Sequence, residues 1–186
     1  MLDRIISDVD KALDAEAYLS ALALMMTIPD ICAKAEYGGK SRNKERYVKW
    51  FDEHIGKYNC PPCEEGEIQT PYISGEVAYQ LRCSVLHEGN TDIDKSEIDE
   101  ERNKIDSFTL VVEKKKLFDI YVDSSEVTSD SNGVVEHRAY KVNIRQLWLQ
   151  IRETAMHFYE KHKDKFDFLN YKIINWDEIT ERRSNK

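Results

Sequence analysis

Ile144, Leu147, Ile151, Ala155 and Phe158 follow one another at steps of three and four residues. That spacing matches the turn of an α-helix, so the five side chains fall on one face and must be covered by other apolar surface. The first residues repeat the pattern: Leu2, Ile5, Ile6, Val9 and Leu13 alternate with Asp3, Asp8, Asp10 and Lys11. Amphipathic helices are therefore expected over 144–163 and 2–14, at opposite ends of the chain. A chain with such stripes at both ends closes by packing helix on helix, so the expected class is mainly α, a helical bundle.

The intervening segments extend the bundle. "AEAYLSALALMMTIPDICAKAE" predicts a helix over about 15–36, kinked or broken near Thr27–Ile28 because Pro29 lacks a donor and crowds the preceding turn. Gly38-Gly39 stops it. A third helix is expected over 41–56, with Ser41 as its N-cap and Tyr47, Val48, Phe51 and Ile55 facing inward. Residues 57–70 form a loop by their Pro, Gly and charge content. Thr70-Pro71 then reads as the N-cap and first position of a helix over 72–88, with Val77, Leu81 and Val85 as its stripe and Gly89 as its end. The acidic run 89–106 reads as a mobile loop with one short helix after Ser96.

From 107 the period changes. "SFTLVVE", "LFDIYVDSSEV" and "VVEHRAYKVNI" are β-branched and aromatic, and "DSNG" at 130–133 is a turn signal. A small antiparallel hairpin or sheet is expected over about 107–142, inserted before the last long helix. The tail "KFDFLNYKIINWDEIT" carries enough aromatics to dock on the body, and "ERRSNK" should fray.

The chain has 186 residues, which fits a single domain. With 41% hydrophobic and 33% charged residues it is globular in composition. A net charge of −8 argues against a protein that coats duplex DNA. A local basic cleft is still compatible, and Lys40, Arg42, Lys44 and Arg46 are the candidate nucleic-acid-binding residues. The lysines 114–116 read as solvated surface. The richest apolar stretch, 17–28, is short for a bilayer. The acidic N-terminus has no signal-peptide pattern. A cytoplasmic protein with no membrane partner is expected, its four cysteines reduced. "CPPC" at 60–63 has the spacing of a zinc knuckle, but a structural zinc wants four ligands and no second pair exists. A rigid turn is the expected use, and no metal or other cofactor is expected. No glycine-rich phosphate loop, nucleophile elbow or HExxH is present. Tyr47, Trp50, Trp148 and Phe158 lie on expected helices, where core packing is their commonest use.

That leaves "LRCSVLHEGN", residues 81–90. Arg82 and His87 are five residues apart, which on an α-helix separates their side chains by roughly 140°. The pair works poorly within one helix and better if it converges with the same pair of a second copy. His87 falls in the last turn, where the helix dipole favours an imidazolium. Such a histidine is a usable acid and base, and a neighbouring arginine can hold phosphate oxygens. Those two groups suffice in principle for metal-free RNA cleavage.

"AYQLRCSVLHEGN" (78–90) resembles the R-x4-6-H signature of the HEPN superfamily, and "RNKERYVKWFDEHI" (42–55) resembles the helix that precedes it. The resemblance covers roughly residues 15–90. It implies a dimer of helical bundles and, in many members, a metal-independent endoribonuclease of toxin–antitoxin or phage-defence systems in bacteria. It implies Arg82 and His87 as the catalytic pair, meeting the partner's pair in a composite cleft, with RNA or a nucleotide and an antitoxin protein as expected partners. Active members usually carry Asn, Asp or His after the arginine; here Cys83 stands there. Other members are non-catalytic dimerising or nucleotide-binding modules, which is the alternative reading.

Overall fold

The computed structural model describes residues 1–60, 71–113, 121–130, 133–170 and 172–177. The described residues form six α-helices, α1 (Leu2–Asp14), α2 (Tyr18–Met25), α3 (Ile28–Tyr37), α4 (Asn43–His54), α5 (Gly75–Cys83) and α6 (Ile144–Lys161), and three strands, β1 (Ser107–Val111), β2 (Tyr121–Asp130) and β3 (Gly133–Asn143). The mainly helical class is observed. The core takes most of the expected stripes: Leu2, Val9 and Leu13 of α1, Tyr47 and Phe51 of α4 with Ile55 after it, Val77 and Leu81 of α5, and Leu147, Ile151 and Phe158 of α6 are buried. Trp50 is buried with them, and the expected Val48 and Val85 are only half-buried.

The expected helix over 15–36 is two helices. The break falls at Met26–Thr27, where Pro29 at the start of α3 has no donor for the preceding turn. The stretch Tyr18–Tyr37 is long and apolar enough, by length and composition, to cross a membrane, which the shorter 17–28 reading overlooked; half of it is buried inside the protein. Two helix starts also differ. Ser41 does not cap α4; Arg42 occupies that position without a side-chain bond. The Ser41 carbonyl instead accepts from the Arg46 guanidinium. For α5 the cap is Ser74, whose Oγ accepts from the Val77 N–H at 3.3 Å. Thr70, the expected cap, lies outside the described residues.

The sheet is mixed rather than purely antiparallel, with β3 central. β2 and β3 pair antiparallel, from Tyr121↔Val142 to Asp130↔Gly133. β1 lies on the other edge of β3 in parallel register, Ser107↔Ala139 to Val111↔Asn143. The strand residue Asn143 then caps α6, its Oδ1 accepting from the N–H groups of Arg145 at 3.1 Å and Gln146 at 3.3 Å. Sheet and last helix thus meet without a loop.

The acidic run before the sheet is anchored rather than mobile. Ile93, Ile98 and Ile105 are buried at intervals along it. It forms two short 3-10 turns, Lys95–Glu97 and Glu101–Asn103. At the far end Phe166 and Leu169 dock on the body as expected, but Ile173, Ile174 and Trp176 are exposed.

Candidate functional site

Helix α5 does not run as an α-helix to Gly89. It changes after Cys83 into a π turn, Ser84–Glu88, whose end is marked by the Gly89 N–H donating to the Ser84 carbonyl, five residues back. Gly89 itself sits at φ +70°, the left-handed region that glycine enters without strain. A π turn brings residues five apart toward one face, and such turns are frequent at functional sites. The 140° expected between Arg82 and His87 holds for an α-helix and does not carry over to a stretch that ends in a π turn. The extra residue per turn is invisible to an α-helical reading of the spacing.

The two side chains are nonetheless held differently. Arg82 is largely buried, with 17% of its side chain exposed, and its Nε donates to Asp30 Oδ2 at 2.7 Å. Its guanidinium also approaches Cys83 Sγ at 3.9 Å and lies over the Tyr79 ring at 5.6 Å. Burial opposes the charged guanidinium, but Asp30 and Cys83 outweigh it, so its pKa is raised. His87 is exposed on the π turn, beside the half-exposed Leu86. Among the described residues His87 has no hydrogen-bond partner, and no contact joins it to Arg82.

Asp30 is a residue that the sequence reading missed. It joins α3 to α5 through Arg82 and to α4 through Asn43, whose Nδ2 donates to Asp30 Oδ1 at 2.8 Å. Asn43 Oδ1 in turn accepts from Arg46 at 3.0 Å. One polar chain thus runs Arg82–Asp30–Asn43–Arg46. Next to it the Tyr47 hydroxyl is fully buried without a hydrogen-bond partner among the described residues. Burial, then the Asp30 carboxylate, push its pKa well up, so it is a neutral phenol. Burial, then the neighbouring Cys83 thiol, raise the pKa of Tyr79 too. The only sequence signal for Asp30 was an acid directly after Pro29, at the start of a helix whose next charged residue is Lys34.

The four candidate basic residues are not equivalent. Lys40 is exposed, and Arg42 is 88% exposed with Glu45 at 3.9 Å. Lys44 is tied to Glu97 of the acidic segment at 2.9 Å, and that bond is the first cause of its raised pKa. Arg46 is tied to Asn43 and the Ser41 carbonyl. Lys40 and the loosely paired Arg42 are open to an anion, and Lys44 and Arg46 are held. The lysines 114–116 lie outside the described residues, as does Cys63. Cys60 donates its thiol to the Gly56 carbonyl at 3.2 Å. Among the described residues no group of three or more His, Cys, Asp or Glu is placed to hold a metal.

Compared with family models, curated proteins and solved structures, the chain matches none of them.

Proposed function

We propose that the chain is a HEPN-like, metal-independent endoribonuclease that works as a homodimer in the cytoplasm, in a toxin–antitoxin or phage-defence setting, with Arg82 and His87 as its reacting pair. The observation that carries this reading is the π turn Ser84–Glu88, which starts directly after the Arg82-Cys83 step and leaves His87 exposed at the end of a pinned helix. In the proposed reaction one histidine accepts the proton of a ribose 2′-hydroxyl as its oxygen attacks the adjacent phosphorus. The histidine of the second copy protonates the departing 5′-oxygen. The products are a 2′,3′-cyclic phosphate and a free 5′-hydroxyl. Arg82 holds the non-bridging oxygens as charge grows on them. The half-exposed Leu86, next to His87, supports a second copy packing nearby. An antitoxin protein covering the same face is the proposed regulator.

The test is incubation of purified protein with single-stranded RNA in EDTA. Wild type should cut, His87→Ala should not, and 2′-deoxy substitution at the cut site should block cleavage. A wild-type protein inert on a panel of RNAs would sink the proposal.

One observation favours a second reading, a non-catalytic dimerising or nucleotide-binding module. Arg82 already spends its Nε on Asp30, and the residue after it is Cys83 rather than a polar one. On that reading Arg82→Ala and His87→Ala alter dimerisation or nucleotide affinity, with no turnover in any variant.

A further inference from the structure

We propose that the groove beside the His87 turn is a base pocket that selects guanine in single-stranded RNA, with Asp92 as its specificity residue; this rests on the ribonuclease reading above. The groove has a volume of about 490 Å³ and is lined by Leu19, Ser20 and Ala23 of α2 on one side and by Val85, Asn90 and Asp92 on the other. The π turn that presents His87 also supplies Val85, so the groove and the candidate reacting group share one turn, although His87 is not among the residues that line the groove.

The lining decides the ligand chemistry. Leu19, Ala23 and Val85 offer an apolar wall against which a flat ring can pack. Neither lysine nor arginine is among the residues lining the groove, so it is unsuited to a phosphate. It suits a neutral ring that brings N–H donors. Asp92 is the acceptor for them. Its main chain is fixed on both sides: its N–H donates to Asn90 Oδ1 at 3.1 Å, and its carbonyl accepts from Ser84 Oγ at 2.5 Å. It also bridges Ser107 at the start of the sheet. Its carboxylate has no hydrogen-bond or ion-pair partner among the described residues. A held backbone that carries an unpaired acidic acceptor is built to receive donors. Guanine places N1–H and N2–H side by side, matching the two carboxylate oxygens. Uracil offers one N–H between two carbonyl oxygens, which a carboxylate repels. The Ser20 hydroxyl, also without a partner among the described residues, supplies a donor from the α2 wall.

The test uses the full chain and oligouridine RNAs that carry a single guanosine, adenosine or cytidine, in EDTA. Cleavage beside guanosine should exceed cleavage within uridine by at least roughly tenfold, and Asp92→Asn should erase most of that preference. Ala23→Leu, which fills the groove from the other wall, should do the same; melting curves confirm that both variants fold. If cleavage depends on His87 but shows no base preference, or if Asp92→Asn keeps the preference, the pocket proposal is overturned and the ribonuclease reading stands. If no RNA is cut, the ribonuclease reading fails. The pocket is then judged by calorimetric titration with GMP and UMP: selective GMP binding lost in Asp92→Asn supports it, and equal or absent binding overturns it.

Discussion

Asp30 Oδ2 accepts from Arg82 Nε at 2.7 Å, and the two side chains are only 15% and 17% exposed. A pair this shielded is weak proof of added stability, but breaking it on one side strands the other charge. Asp30→Ala should therefore cost about 2–3 kcal/mol, read as a lowered urea midpoint. Asp30→Asn keeps the shape and the link to Asn43, and should cost less. Under the ribonuclease reading it still lets the guanidinium wander, so RNA cleavage should fall by roughly tenfold or more with little change in fold. Equal activity in Asp30→Asn and wild type would show that Arg82 needs no positioning.

The Lys44–Glu97 pair, at 2.9 Å with side chains 34% and 54% exposed, makes a different prediction. Exposed pairs contribute little, so Lys44→Ala should change stability by less than about 1 kcal/mol. Its effect on RNA affinity should also be smaller than that of Lys40→Ala or Arg42→Ala, because Glu97 already occupies the ammonium. Glu97→Gln removes the carboxylate charge beside Lys44, whose ammonium still donates to the main-chain carbonyl of residue 97, and should tighten RNA binding modestly. Filter binding across a salt series checks both statements, since each lost phosphate contact flattens the salt dependence.

The helices were legible because their stripes are local: Leu2 to Leu13 and Ile144 to Phe158 are buried where the three-and-four spacing put them. Gly89 as the end of its helix was legible for the same reason. What stayed hidden depends on contacts distant in sequence. Asp30 matters through Arg82, 52 residues away, and no local pattern marks it. The parallel placement of β1 is a choice of edge, which hydrophobic alternation does not encode. The acidic run looked mobile because its three isoleucines are widely spaced, yet Ile93, Ile98 and Ile105 each reach the core. The π turn replaces an α turn without any change in composition, so spacing alone does not reveal it.

Gly75 opens α5 against the backbone of α4. A Cβ there would lie 2.8 Å from Val48 Cα, with main chain rather than a flexible side chain in the way. Helix propensity alone says that Gly75→Ala should stabilise by about 1 kcal/mol. The close approach says the opposite, a loss of about 2–3 kcal/mol as α4 and α5 are forced apart. A melting curve decides by sign. A rise in melting temperature would mean that the contact between the helices yields easily.

Asp52 sits at the same junction and accepts from the Gly75 N–H at 2.7 Å. Burial pushes its carboxyl up to about 6 from 3.8, against the lowering effect of that hydrogen bond. The folded protein therefore holds a proton that the unfolded chain has released between about pH 4 and pH 6. Stability from this group is fully present below that window and falls as pH rises through it, the reverse of an ion-paired carboxylate. Asp52→Asn keeps an oxygen to accept from Gly75 and carries no charge to desolvate. It should remove this component of the pH dependence and be more stable than wild type at pH 7 by about 1–2 kcal/mol. Urea titrations of both proteins at pH 4 and pH 7 test it. Parallel pH profiles for the two would place the Asp52 pKa near its unfolded value and remove the argument.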